Sequence, residues 1–166
     1  MNSLKITIAC LLILVTCCSY QSFSKSNNQV IEQVMAYSMA DIIKRCQKDN
    51  GYTDKDMVIL EKELKRYLIL AILDAGKFGM YSKDVDNLWH SFILFTKNYS
   101  DFCNTYSKKF IHHVPKIDSL ETPEQATQNR KNFSHFIKKY EEIFTEEIHP
   151  IWLIDIGEKN LAIKGT

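Results

Sequence analysis

Apolar residues recur at intervals of three and four along most of the chain. In the first such run, between Val30 and Cys46, the inward positions are Ile31, Val34, Met35, Ser38, Met39 and Ile42. This spacing places side chains on one face of an α-helix. The sequence Asp49-Asn50-Gly51 then supplies a stop signal, since glycine after the last periodic residue is typical of a helix end. We therefore predict helix one from Val30 to Cys46.

Capping signals mark the starts of two further helices. Thr53 is followed three residues later by Asp56, which is a capping-box pattern, and a long apolar run follows. The second half of that run, YLILAILDA, is apolar almost all round, which predicts a central helix covered on several sides. The segment from Thr122 to Gln125 has the same capping-box pattern, with proline at the first helical position. We predict that a helix starts there and extends to Phe144.

The longest predicted helix, helix three, begins after Ser82. Its inward positions are Val85, Leu88, Trp89, Phe92, Thr96, Tyr99, Phe102 and Tyr106. Neither glycine nor proline, the residues that most often interrupt helices, occurs within it. We therefore predict one uninterrupted helix from Val85 to about Ser107, followed by a loop from about Lys108 to Leu120.

These elements define an all-α fold class, a single-domain bundle of about four helices after an N-terminal signal segment. The length of 166 residues suits one domain. The chain has only 5 glycines and 3 prolines, which favours helices over turn-rich β architectures. The predicted limits are residues 1–24 for the signal segment, 28–152 for the helical domain and 153–166 for a C-terminal tail.

The first residues have the pattern of an export signal. Lys5 precedes an uncharged apolar run from Ile6 to Cys18, after which small and polar residues begin at Ser19. The run is shorter than the roughly 20 apolar residues that cross a bilayer, and it fits the apolar core of a signal peptide. We expect an exported protein, periplasmic or secreted. An uncleaved N-terminal anchor, or lipidation at Cys17, is the alternative, and only then would the chain contact a membrane.

The charge balance and the absence of common motifs limit the classes of partner and of activity to be expected. The chain carries 21 basic and 20 acidic residues, so it lacks the clustered positive charge with which proteins bind nucleic acid. We therefore exclude nucleic acid and expect an unidentified protein or small molecule as partner. The sequence has no glycine-rich phosphate loop and no G-x-S-x-G, H-E-x-x-H or paired C-x-x-C motif. No common enzyme class is indicated, and whether the protein is an enzyme stays open.

Two cysteines, Cys46 and Cys103, remain once the signal segment is removed. In an oxidising compartment an isolated pair of cysteines often forms a disulfide. The alternative for Cys103 is packing, because it shares a predicted helix face with Phe92 and Tyr99. Both alternatives stay open.

Asp86 and His90 are the first candidates for metal binding. Four residues apart on a helix, they share one face at a distance of about 6 Å. An ionised carboxylate and a neutral imidazole can supply two ligands for zinc. Such a site needs a third ligand, and His149 is a candidate if the last helix runs antiparallel to helix three. The alternative interpretation is a first-turn Asp that interacts with the helix dipole and a histidine hydrogen-bonded to it.

A second candidate site contains Cys103 with His112 or His113. A loop after helix three could return a histidine to the thiol, which would give a cysteine nucleophile and a histidine base. Cys103 follows His90 by thirteen residues, which is about 20 Å along a continuous helix, so the two candidate sites are predicted to be separate. The alternative is that these histidines only complement the C-terminal end of the helix dipole.

The segment VDNLWHSFILFTKNYSDFC, followed by FIHHVP, is similar to a signature of small bacterial proteins that resemble the N-terminal region of glycine-rich-domain-containing proteins. The similarity extends over residues 60–152. Its motif positions correspond here to Asp86, Trp89, His90, Cys103, His112 and His113. Plant members have a second histidine where this chain has Phe92, and the glycine-rich segment is absent. The resemblance implies no established activity, but it favours a real site among these residues.

Three functions follow from these candidates. The first is an exported helical protein that acts as a binding or accessory module with a metal site, for which zinc is the predicted ion. The second is a hydrolase or transferase with Cys103 as nucleophile and His112 or His113 as base. The third is a structural protein whose aromatic helix face docks a partner helix.

Overall fold

The computed structural model describes residues 27–74, 78–114 and 122–154. All regular elements in these three ranges are helical, which confirms the predicted all-α class. The contacts divide the chain into two units after Ala36. In the first unit, residues 27–35 form helix α1. The predicted signal segment lies outside the described residues, as does most of the predicted C-terminal tail.

The second unit begins at Tyr37 and contains all the other elements. In chain order they are α2 (Ala40–Asn50), α3 (Asp54–Leu73), α4 (Lys83–Leu94), α5 (Thr96–Phe102), a π-helical turn (Cys103–Ser107), α6 (Pro123–Phe144) and a 3-10 turn (Pro150–Trp152). The predicted number of about four helices is too low. Predicted helix one is divided at residues 36–39, and predicted helix three is divided at Phe95. None of the described helices is long and apolar enough to cross a membrane.

Both predicted capping boxes are present. At the start of α3, the Thr53 hydroxyl accepts from the Asp56 N–H at 3.2 Å, and the Asp56 carboxylate accepts from the Thr53 N–H at 2.8 Å. Thr122 and Gln125 make the same reciprocal pair at 3.3 and 2.8 Å before α6. Each box satisfies two backbone donors that no helical carbonyl can reach. The starts of both helices are therefore encoded in four-residue motifs.

Helix α3 is the central helix of the second unit, as its apolar second half predicted. Leu64, Leu68, Ile69 and Leu70 are fully buried, and α3 packs against α2, α4 and α6. Side chains on several faces of one helix are buried only when neighbours cover it on several sides. Helix α4 packs on both α2 and α3, which holds in place the helix that carries the candidate metal ligands.

A buried carboxylate joins α3 to α6 and to the 3-10 turn. Glu63 is fully buried, and it accepts hydrogen bonds from the Tyr140 hydroxyl at 2.9 Å and from the Trp152 indole N–H at 2.8 Å. The neighbouring Arg66 is also buried, and it pairs with Glu146 at 2.7 Å. A buried ion is tolerated only when partners satisfy it. This network therefore docks the 3-10 turn and α6 on α3.

The predicted uninterrupted helix three is wrong. The helix ends at Leu94 and restarts at Thr96. Phe95 between them has φ −81° and ψ 63°, outside the helical region, and its N–H donates to the Phe92 carbonyl only three residues back. The prediction relied on the absence of glycine and proline, and neither residue causes this break.

Aromatic packing accounts for the break at Phe95. The Phe92 ring lies 5.0 Å from the Tyr99 ring and 5.4 Å from the Phe102 ring, and both contacts are nearly perpendicular. The Trp89 indole N–H donates to the Tyr99 hydroxyl at 3.1 Å, although ten residues of continuous helix would separate the two by about 15 Å along the axis. Aromatic residues have weak helix propensity, so these buried contacts outweigh the helical hydrogen bonds that are lost.

Candidate metal centre

Helix α4 places Asp86 and His90 on one face, one turn apart. The Ser82 hydroxyl caps the helix by accepting from the Val85 N–H at 3.4 Å. Asp86 consequently lies in the first turn, where a negative charge interacts favourably with the helix dipole. The His90 Nε2 atom lies 3.8 Å from Asp86 Oδ2. The two side chains are therefore close enough to share a ligand.

The third member of the cluster is His113, which was predicted to act with Cys103 instead. Its Nε2 atom lies 2.7 Å from Asp86 Oδ1, and its ring centroid lies 4.5 Å from that of His90. One ligand atom from each of the three residues lies within 4.8 Å of the other two. In the described parts of the chain, these residues form the one group of His, Cys, Asp or Glu side chains compact enough to hold a metal ion.

The cluster is open on the side of His90. The exposed fraction of the side chain is 9% for His113, 24% for Asp86 and 50% for His90. Trp89 covers the other side, where its indole ring contacts the His113 ring edge-on at 4.6 Å. A metal ion held by three side chains at such an edge keeps a coordination position open to solvent or to a ligand.

The chemistry of the three donors suits a divalent metal. One carboxylate oxygen and two imidazole nitrogens are ligands typical of Zn²⁺, and also of Fe²⁺. Ligand bonds of about 2.0–2.2 Å in a tetrahedral site place neighbouring donors about 3.3 Å apart. The Nε2 atoms of His113 and His90 lie 2.7 and 3.8 Å from different oxygens of Asp86, Oδ1 and Oδ2. Binding of one ion by one oxygen and both nitrogens therefore requires these side chains to move.

A separate set of hydrogen bonds fixes the start of α4. The Tyr52 hydroxyl donates to the Asp84 carboxylate at 2.6 Å and accepts from the Asn87 amide at 2.8 Å. Burial, together with the bond to Asp84, raises the pKa of Tyr52 to about 12. These contacts tie the loop between α2 and α3 to the first turn of α4, from which Asp86 projects.

His149, the predicted third ligand, is not part of the cluster. Its Nδ1 atom accepts from the Ile151 N–H at 3.2 Å, so the imidazole caps the 3-10 turn. The prediction assumed that the chain after the last helix returns to the start of α4. Glu146 instead pairs with Arg66 of α3, which holds this part of the chain on a different helix.

The predicted nucleophile and base are not brought together. The Cys103 thiol is fully buried beside the Tyr99 hydroxyl and the Ile111 backbone. Burial raises the pKa of this thiol, which disfavours the reactive thiolate. His112 is exposed, and His113 belongs to the metal cluster. The arrangement gives no support to cysteine-based catalysis.

Cys46 and Cys103 are both free thiols, and both are fully buried. Cys46 on α2 lies beside Ser91 of α4, and the Asn50 amide lies 3.6 Å from its sulfur. Burial raises the pKa of the Cys46 thiol. Packing, the alternative to a disulfide, therefore describes both residues in this structure.

Spacing along the sequence did not indicate that His113 would join Asp86. The two residues are 27 positions apart, and helical spacing relates only residues three or four apart. The chain reverses after the π-helical turn, where Lys108 adopts a left-handed conformation with φ 56° and its N–H donates to the Cys103 carbonyl at 2.9 Å. The one available signal was the resemblance, whose motif positions include all three cluster residues.

The fold and the site together define an all-α protein with a carboxylate and two histidines clustered at the exposed edge of one helix. The chain belongs to the family described as UCP032817-like, whose family model matches residues 26–165. The match spans all the described residues and therefore includes the three members of the cluster. No curated protein and no solved structure matches the chain.

Proposed function

We propose that the protein is a metal-binding module in which Asp86, His90 and His113 hold a Zn²⁺ ion. The observation that carries this proposal is the approach of one oxygen and two nitrogen donors to within 4.8 Å of one another. Two of the three residues are also the pair whose helical spacing fits metal binding. The donor set lacks sulfur, which favours Zn²⁺ or Fe²⁺ over softer ions such as Cu⁺.

The open side of the cluster supports a binding or accessory role. A Zn²⁺ ion held by one carboxylate and two neutral imidazoles keeps a net positive charge, and its remaining position faces solvent beside the half-exposed His90. An ion in this state binds carboxylates, phosphates and other anionic groups. We therefore assign the protein a small anionic molecule, or an acidic group of a partner protein, as the ligand at this position.

Export remains part of the proposal and rests on the sequence of residues 1–24. The apolar run from Ile6 to Cys18 after Lys5 has the length and flanks of a signal peptide. Intact mass measurement of the protein recovered from fractionated cells tests it. A mass lower by that of the first 19 to 24 residues is expected for a cleaved signal, in line with the small-residue rule for cleavage sites. The full mass in a membrane fraction would favour the uncleaved anchor.

Kinship with glycine-rich-domain-containing proteins is likewise a proposal. It predicts that those proteins bring together the residues equivalent to Asp86, His90 and His113. Metal analysis of one such protein, with and without those residues, tests the prediction. Metal binding that does not depend on them would argue against a shared site.

Metal analysis of the purified protein tests the proposed site. We expect one Zn²⁺ per chain after reconstitution and removal of excess ion, measured by plasma mass spectrometry, with the affinity taken from competition with a chromophoric chelator. His90→Ala and His113→Ala are each expected to weaken binding by more than the roughly 10- to 100-fold that loss of a supporting contact costs. His112→Ala is the matched control, because it removes the adjacent, exposed histidine outside the cluster. An equal loss in the control, or no bound Zn²⁺ in the unmodified protein, would contradict the proposal.

A purely structural role is the competing function, and one distance favours it. His113 already lies at hydrogen-bonding distance from Asp86, 2.7 Å, with its side chain only 9% exposed. Without any ion, this bond would tie the segment after the π-helical turn to α4, and a hydrogen bond to a charged group contributes about 1.5–3 kcal/mol. If the protein binds no Zn²⁺ while His113→Ala lowers the free energy of unfolding, the cluster serves only to attach the segment of His113 to α4.

A further inference from the structure

The segment that carries His113 is attached to the fold two residues earlier, at Ile111. The Tyr99 hydroxyl donates to the Ile111 carbonyl at 2.5 Å. Tyr99 belongs to α5, so the Ile111 carbonyl is held by a side chain of that helix.

Trp89 connects this attachment to the metal cluster. Its indole N–H donates to the Tyr99 hydroxyl at 3.1 Å, and its ring contacts the His113 ring edge-on at 4.6 Å. Trp89, Tyr99 and Ile111 are 2%, 1% and 9% exposed. Hydrogen bonds in such dry surroundings are not weakened by competing water. A continuous buried chain of contacts thus runs from α4 through Tyr99 to the segment of His113.

We propose that Tyr99 is a positioning residue that holds His113 against Asp86. Two residues of extended chain span only about 7 Å, so fixing Ile111 restricts where the imidazole of His113 can lie. The effect of Tyr99 on metal affinity rests on the proposed function, whereas the positioning itself requires no ion.

The expected consequence is a preorganised third ligand. A histidine on a free segment must be ordered when the ion binds, and the lost conformational entropy lowers the affinity. A histidine that is already held at Asp86 avoids that loss. Supporting contacts of this kind change metal affinity by about 10- to 100-fold.

Tyr99→Phe tests the proposal, because it removes the hydroxyl and keeps the buried ring. We expect the affinity for Zn²⁺ to fall by about 10- to 100-fold. In the His113→Ala background, the same substitution is expected to change the affinity by less than about twofold, since the two residues act through one ligand. The matched control is Tyr106→Phe, on the π-helical turn, whose ring packs on Phe102. Equal losses with and without His113 would overturn the proposal.

A measurement on the metal-free protein separates this inference from the proposed function. In chelator-treated protein, the two-dimensional NMR signal of the His113 ring is expected to move toward that of the exposed His112 in Tyr99→Phe. It is expected to stay in place in Tyr106→Phe, the matched control. A signal displaced in Tyr99→Phe alone supports the positioning role even if the protein binds no Zn²⁺. An unmoved signal in Tyr99→Phe, or an equal displacement in the control, overturns the positioning role even if the protein binds Zn²⁺.

Discussion

His113 and Asp86 are 27 residues apart in the chain and 2.7 Å apart in space. The break at Phe95 and the left-handed Lys108, with φ 56°, precede this contact and turn the chain back toward α4. The cluster therefore forms only when the aromatic packing around α5 has formed. Folding and metal binding are consequently coupled, since the unfolded chain has no preformed site.

Zn²⁺ is expected to stabilise the folded protein through this coupling. A ligand that binds only the native state raises the free energy of unfolding by about 2.7 kcal/mol at 100 times its Kd. Thermal unfolding followed by circular dichroism, with Zn²⁺ and with a chelator, measures the effect. The increase in Tm is expected to disappear in His113→Ala and to persist in His112→Ala. An increase that survives in His113→Ala would mean that the ion binds elsewhere.

Phe92→Ala is expected to destabilise the protein strongly. The Phe92 ring is fully buried, and it contacts Tyr99 and Phe102 across the break. Truncating a buried phenylalanine costs about 3–5 kcal/mol in free energy of unfolding. Urea denaturation measures the loss. Leu94→Ala on the same helix is the control, because Leu94 is 64% exposed and surface substitutions change stability by about 0.5 kcal/mol or less. Similar losses in the two variants would refute the role given to aromatic packing.

The buried network around Glu63 is expected to be sensitive to Glu63→Ala. This change leaves the Tyr140 hydroxyl and the Trp152 N–H without the acceptor that they share. Breaking a buried charged network by removing one member costs about 3–5 kcal/mol. Glu142→Ala, which removes an exposed pair with Lys139, is expected to cost much less, because water screens exposed ion pairs. A small loss of stability in Glu63→Ala, measured by urea denaturation, would show that the network contributes little to the free energy of unfolding.

The stability of the protein is expected to fall in alkali. Burial is the main cause that raises the pKa of both Tyr52 and Tyr140 to about 12, whereas an unfolded chain ionises tyrosine near pH 10. Between these values the folded state keeps protons that the unfolded state has lost. The stability that these groups contribute is therefore fully present below about pH 10 and is lost as the pH rises to about 12.

Urea denaturation at several alkaline pH values measures this loss, and absorbance at 295 nm follows tyrosine ionisation. Tyr52→Phe is expected to reduce the fall in stability above pH 10, because a phenylalanine has no proton to lose. Unchanged stability over this range in the unmodified protein would contradict the prediction.

Neither cysteine is expected to react with a thiol reagent in the native protein. Cys46 and Cys103 are fully buried, and burial raises the pKa of both thiols. Reaction requires an exposed thiolate, so labelling is expected only at the rate of unfolding. Denatured protein without its signal segment is expected to show two free thiols in the absence of reductant. A fast-reacting thiol at Cys103 would instead support the hypothesis that Cys103 is a nucleophile.

Short motifs predicted the parts of the fold that short-range contacts determine. The boxes at Thr53–Asp56 and Thr122–Gln125 involve residues three apart, so their sequence is enough to locate the helix starts. The central helix was predictable for a similar reason, since a segment that is apolar all round must be covered. These features need no knowledge of which helix packs on which.

The break at Phe95 depended on contacts that spacing does not reveal. It results from a competition between helical hydrogen bonds and the packing of Phe92 on Tyr99, and only the folded structure shows that the packing prevails. The candidate site also has one part that spacing predicts and one part that it does not. Asp86 and His90 lie one helical turn apart and were predictable from their spacing, whereas the position of His113 depends on the chain reversal that follows the break.

The dependence of Glu63 on Trp152 has a consequence for how the molecule is made. Synthesis proceeds from the N-terminus, so this carboxylate leaves the ribosome 89 residues before the indole that binds it. Until then the hydrogen bonds that this acid makes in the folded protein are incomplete, although Tyr140 precedes Trp152 and supplies one of them. The buried network around Glu63 is therefore expected to form late in synthesis, once Trp152 has emerged.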